Sequence, residues 1–121
     1  MIELSPLARP YAKAVFSAAL DAGTQMEVAE QLELLSAVSQ TNKVSSLIED
    51  PELSKEKIAR TIINITEGEI GELAKKMLEL LAENKRLNLI AAITLSYPAL
   101  LDQHNTLRSI IMHLTLIHIS Q

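Results

Sequence analysis

Between Leu7 and Ala22, the polar residues Arg9, Lys13, Ser17 and Asp21 recur at four-residue intervals, and nearly every side chain between them is apolar or small. Wound at about 100° per residue, the segment lines those four along one strip about 120° wide, interrupted by Leu20, and leaves an apolar arc of roughly 200°. A surface helix in a bundle needs an apolar stripe of only about 100° or slightly more. One neighbour is therefore too few. The arc divides into a half led by Val15 and Phe16, with Ala8, Ala12 and Ala19, and a second half made of Leu7, Tyr11, Ala14 and Ala18.

Further along, Glu72, Lys75, Lys76, Glu79 and Glu83 crowd one side of another helical segment. Ile70, Leu73, Ala74, Met77, Leu78, Leu80, Leu81 and Ala82 fill an arc again near about 200°. Two arrangements satisfy such helices. Both can be central, buried on two sides by their own domain, or they can flank a groove that accepts an amphipathic helix from another chain.

The rest of the chain is consistent with an all-α class. It has three glycines, four prolines and only Tyr11, Phe16 and Tyr97 as aromatics, so the core must come from Leu, Ile, Val, Met and Ala. At 121 residues it fits one domain able to close a core without crosslinks, and zero cysteines exclude disulfides and thiolate chemistry. The start of the chain does not read as a secretory leader. No run approaches the roughly 20 apolar residues of a membrane span, so a soluble, cytosolic protein is expected.

Local signals place six helices. Ser5-Pro6 can open the first, with Pro10 either in its first turn or at a kink, and Gly23 suits its exit. Thr24 with Glu27 reads as a capping box for a second helix to about Gln40, striped by Val28, Leu32, Leu35 and Val38. Asn42 can cap a short third helix ending at Pro51, and Ser54 a fourth through Ile58, Ile62 and Ile63. Thr66 with Glu69 reads as the box opening the fifth, which exits at Asn84; a sixth should cover about 87–104. The expected fold is a compact six-helix bundle over 1–105. Residues 106–121 form a β-branched tail, irregular or strand-like, with no strand to pair with. It can also be read as a helical extension, as foreign sequence, or as the stub of a missing or altered C-terminal domain.

Chemistry is sparse. His104, His113 and His118 are spaced by nine and five residues, which does not place all three on one helix face, so no metal site is expected. "EGEIGE" lacks the Lys-Ser/Thr of a phosphate loop, no nucleophile signature occurs, and neither a cofactor nor catalysis is expected. A formal charge of −4 without a basic cluster argues against nucleic acid.

"ARPYAKAVF" at 8–16 and "LAENKRLNLI" at 81–90, at this separation, resemble the best-marked segments of the N-terminal domain of the F-type ATP synthase delta subunit, the oligomycin-sensitivity-conferring protein family. The resemblance covers about residues 3–105. It implies a non-catalytic stator subunit, a six-helix bundle that binds the N-terminal helix of an alpha subunit between its first and fifth helices. By position, that groove would use Tyr11, Ala14, Ala18, Met77 and Leu80. It also implies contact with the peripheral-stalk b subunits where a C-terminal domain is present, and a peripheral place on the cytoplasmic face of the bacterial inner membrane, with membrane association only through the complex. The sequence departs from the family's pattern at Pro98, where a kink is expected, and in the tail. A generic helical interaction module, self-associating through its two wide faces, is the alternative reading.

Overall fold

The computed structural model describes residues 5–119, with the side chains of Ser5, His118 and Ile119 outside that description. Six α-helices and one 3-10 turn account for the fold, and no strand occurs among the described residues. The helices are α1 (Ser5–Ala22), α2 (Gln25–Ser39), α3 (Asn42–Glu49), α4 (Lys55–Ile65), α5 (Glu72–Glu83) and α6 (Ile90–Ile119), with the 3-10 turn at Leu87–Leu89. The all-α bundle expected from periodicity is what forms.

The first half of α6 is the central element. It packs chiefly on α1 and α2, burying Ile90, Ile93 and Tyr97, while α4 pairs with α5 and α3 bridges α2 and α4. Every residue assigned to the core half of α1 is buried: Ala8, Ala12, Val15, Phe16 and Ala19. Phe16 lies edge-on to Tyr97, with ring centroids 5.5 Å apart, and to His104 at 5.8 Å. The Thr94 hydroxyl lies 3.0 Å from the Leu32 carbonyl and 2.9 Å from that of Ile90, joining α6 to α2. Ion pairing contributes little, since Lys75–Glu72 at 3.6 Å is the one salt bridge among the described residues.

Several local signals resolve differently from their sequence reading. α1 begins at Ser5 and runs through Pro10, whose missing N–H leaves only the Pro6 carbonyl near the helix start without its usual donor. Gly23 takes φ +70 as expected; its N–H bonds Leu20 O and that of Thr24 bonds Ala19 O, the two bonds of a Schellman exit. Thr24 precedes α2 but its hydroxyl makes no capping bond, so the Thr24/Glu27 box does not form. Thr41, not Asn42, caps α3 by accepting from Val44 N, because Thr41 is the residue with extended φ/ψ while Asn42 is already helical. Ser54 caps α4 as read.

Thr66 closes α4 instead of opening α5: it is buried, and its hydroxyl donates back to the Ile62 carbonyl at 2.8 Å. The chain then turns through Gly68, and α5 starts only after Gly71. At the end of α5, Asn84 keeps φ −89 and Lys85 takes the left-handed φ of 59. A side chain with a Cβ pays about 1–2 kcal/mol to sit there.

The tail differs most. In place of a strand or an irregular segment, α6 continues without a break through Pro98 and past Asn105 to Ile119. Extending an existing helix adds one bond per residue ordered with no new nucleus, whereas a strand needs a partner that the bundle does not supply.

Tyr97 anchors the centre of the bundle. Its hydroxyl donates to the Gln25 carbonyl at 2.7 Å, and burial, reinforced by the negative charge of Glu27, pushes its pKa up from 10.0 to about 12. Because the folded state favours the neutral phenol, this contribution is complete below pH 10.0 and lost as pH rises toward about 12. Urea unfolding followed across that range should show a steeper alkaline loss of stability in the wild type than in Tyr97→Phe, which removes the ionising group. Equal slopes would refute the linkage.

Candidate functional site

The outward half of α1 forms a continuous surface stripe. Leu7, Tyr11, Ala14, Ala18 and Ala22 are spaced to share one face, and apart from half-buried Tyr11 all are exposed, Leu7 at 44%. The described chain buries none of them, although Tyr11 packs partly against the core. For α1, therefore, the bundle leaves half of the apolar arc open. α5 is different: Ala74, Met77, Leu78, Leu81 and Ala82 are buried within the bundle, Leu73 is half-buried, and Leu80 is 44% exposed.

Two contacts fix how α1 and α5 lie together. The Asn84 side-chain amide donates to the Tyr11 hydroxyl at 3.0 Å, pinning the end of α5 to the start of α1. At the other end, Ala18 and Ala22 share a cleft of ≈ 560 Å³ with Leu73, Gly71, Glu72 and Lys76. The helices are thus antiparallel. From Tyr11 to Ala22 and from Leu73 to Asn84 the chain advances by the same number of residues, so the two walls run level for about 16 Å, three helical turns. Ala14 and Leu80 stand roughly one turn in from the pinned end.

α2 closes the cleft. Val28 and Gln31 complete its lining with Thr24 and Glu27, and Gln31 Oε1 accepts from the Gly71 N–H at 3.0 Å, tying α2 to the start of α5. The apolar floor comes from Ala18, Ala22, Val28 and Leu73, and Glu27, Glu72 and Lys76 add charge to the lining.

The five residues implied by the resemblance fall in different settings. Ala14 and Ala18 are exposed, Tyr11 is half-buried and hydrogen-bonded, Leu80 is half-exposed, and Met77 is 3% exposed and belongs to the core beneath. Only Ala18 of the five lines the ≈ 560 Å³ cleft. The contribution of α2 was not anticipated, because Val28 fits its core stripe and nothing in a single sequence signals that Gln31 bridges to residue 71. From sequence Asn84 reads only as a helix exit, although it lies in "LAENKRLNLI", the second of the two segments that carry the resemblance.

This surface carries no catalytic constellation. Among the described residues, no group of three or more His, Cys, Asp or Glu side chains is placed to hold a metal ion, and no helix is long and apolar enough to cross a membrane.

If the Tyr11–Asn84 bond sets the register of the two walls, Tyr11→Phe and Asn84→Ala should each cost about 0.5–1.5 kcal/mol in urea unfolding. The double variant should cost clearly less than the sum of the two. Simple additivity would show that the bond carries no coupling.

Comparison with known proteins matches residues 7–112 to the family described as the ATP synthase delta (OSCP) subunit. The ATP synthase subunit delta of Thioalkalivibrio sulfidiphilus is 41% identical over 97 residues, covering 80% of this chain and 54% of that protein. The subunit delta of Nitrosomonas eutropha is 34% identical over 106 residues, 88% of this chain and 60% of the relative. That of Haemophilus influenzae is 31% identical over 110 residues, 91% and 62% respectively. The chain spans little more than half the length of these relatives.

Proposed function

The chain belongs to the ATP synthase delta (OSCP) subunit family, and on that premise we propose that it is a non-catalytic stator module that grips an alpha subunit of the catalytic head. The grip is the α1–α5 groove, with the N-terminal helix of the alpha subunit as its occupant. The uncovered stripe from Leu7 to Ala22 on α1, level with Leu73 and Leu80 on α5, carries this reading. The alanines on one wall let a guest helix approach closely, and Leu80 offers it hydrocarbon from the other.

The mechanism is attachment. Rotary ATP synthesis works only if the catalytic head is held against the torque of the rotor, and a buried helix resists that torque through its apolar contact area. The groove accommodates about three turns of helix, on the order of eleven residues. Tyr11, Ala14, Ala18 and Leu80 contact the guest, and Met77 supports the floor from within the core. Linkage onward to the peripheral-stalk b subunits belongs to a C-terminal domain. The module then reaches the cytoplasmic face of the bacterial inner membrane only as a peripheral part of the complex.

Isothermal titration with a synthetic peptide of the cognate alpha subunit's N-terminus tests the proposal. The wild-type chain should bind, and Ala14→Asp or Leu80→Asp should weaken binding about 10- to 100-fold by opposing a carboxylate to apolar surface. Glu33→Gln, on the exposed face of α2, should leave binding unchanged. Absence of wild-type binding would overturn the assignment.

A further inference from the structure

The far side of α1 borders a second cleft. Arg9 lies about 180° around the helix from Ala18, so the body of α1 separates this cleft from the groove. It has a volume of ≈ 380 Å³ and runs between α1 and the first half of α6. Fully buried Ala12 and half-buried Leu100 form its floor, with Leu95 and Ala99 on the α6 side and Arg9 and Lys13 on the α1 side. Ser96, also in the lining, donates its hydroxyl to the Ala92 carbonyl at 3.0 Å and leaves no open donor there. Leu95 is 81% exposed, more than any other large hydrophobic residue among those described, although it sits between buried Ile93 and Tyr97 in the part of α6 that packs into the bundle.

The charge on this cleft is one-sided. Arg9 and Lys13 stand about 6 Å apart along α1, and among the described residues neither makes an ion pair. Across from them, α6 carries no charged side chain from Ile90 to Leu101. The next acidic residues along the two helices are Asp21, about 12 Å past Lys13, and Asp102, about one turn past Ala99. In a chain of net charge −4, two unbalanced cations thus stand beside exposed hydrocarbon.

We propose that the α1–α6 cleft docks an acidic amphipathic helix of a partner protein, with its apolar side chains over Ala12, Leu95, Ala99 and Leu100 and its carboxylates on Arg9 and Lys13. A cleft between two helices packed side by side is straight, and a third helix fits it by laying its ridges along theirs. Rim cations of this kind select the partner and speed its arrival, while the apolar contact holds it. Two cations on an acidic chain are too few for a phosphate backbone, which needs a longer basic row. A lipid surface calls for a broad projecting apolar face, whereas most of the hydrocarbon here is recessed. The proposal does not rest on the groove reading, and with the two clefts on opposite sides of α1 both can be filled at once.

Titration of the whole chain at low salt with a labelled synthetic peptide tests it. The probe has about 16 residues of leucine, alanine and glutamate, with leucines at three- and four-residue spacing and glutamates on both flanks. Counterparts carry glutamine or lysine in place of glutamate. Saturable one-to-one binding of the glutamate peptide is expected, about tenfold or more tighter than that of the glutamine peptide. Arg9→Gln combined with Lys13→Gln should weaken it about tenfold, as should Leu95→Gln. None of these side chains is in the core, so thermal unfolding should not change. Arg9→Glu with Lys13→Glu should reverse the preference toward the lysine peptide, and Leu80→Asp should leave binding intact. Absence of saturable binding, equal affinity for the glutamine peptide, or indifference to Leu95→Gln would each overturn the proposal. Loss of binding in Leu80→Asp would place the peptide in the groove instead, and tighter capture of anionic lipid vesicles or single-stranded DNA through Arg9 and Lys13 would name a partner of another class; both results also overturn it.

Discussion

The bundle depends on how α1 can lie against its neighbours, and that is decided by side chains with almost nothing on them. Ala8, Ala12 and Ala19 are fully buried, and the principal neighbour of α1 is α6, which buries Ile93 and Tyr97. Interaxial distance between packed helices follows the size of the residues at the contact, so methyl groups on one side make room for large residues on the other. Phe16 fills the space left beyond them, edge-on to both Tyr97 and His104. Once that face is committed to the core, the opposite stripe is obliged to point outward. The groove is thus a by-product of the same helix that centres the core.

Periodicity made much of this readable. Ala8, Ala12, Val15, Phe16 and Ala19 separated cleanly from Leu7, Ala14 and Ala18, because burial on a helix is a matter of angle and the angle is written in residue spacing. Caps were less legible. Thr41 and Asn42 are both good N-cap residues, and the choice between them turns on which one leaves the helical φ/ψ region first, a matter settled by how α2 ends. Thr66 looked like an opening residue and became a closing one, since a buried hydroxyl finds a carbonyl of the preceding turn as readily as an N–H of a following one. The tail stayed open between several readings, because its β-branched residues favour a strand while the bundle offers none to pair with, and composition alone does not select the helical extension that forms.

The candidate site was legible as a surplus of apolar surface but not as a shape. Sequence spacing shows that α5 is too apolar for one contact, yet the bundle absorbs nearly all of it and leaves Leu80 with partial exposure. Met77 is a case in point: on a wheel it is indistinguishable from its exposed neighbours, whereas in three dimensions it lies under them. The pairing of Tyr11 with Asn84 spans 73 residues and brings the segments "ARPYAKAVF" and "LAENKRLNLI" together in space. It also gives Lys85 its strained conformation a context. Asn84 would be the more natural left-handed residue, but its side chain reaches Tyr11 from the position it holds, and the turn is passed to the next residue.

The scarcity of ion pairs has its own consequence. With Lys75–Glu72 as the one salt bridge among the described residues, and that one partly in solvent, the fold is held by hydrocarbon packing and helix hydrogen bonds. Dissolved ions therefore act on it mainly through water. Salt that merely screens charge has little to remove, whereas sulfate, excluded from the surface, tightens apolar burial, and cooling loosens it. A module built this way keeps its shape through swings of cellular ionic strength that would loosen one assembled from surface charges.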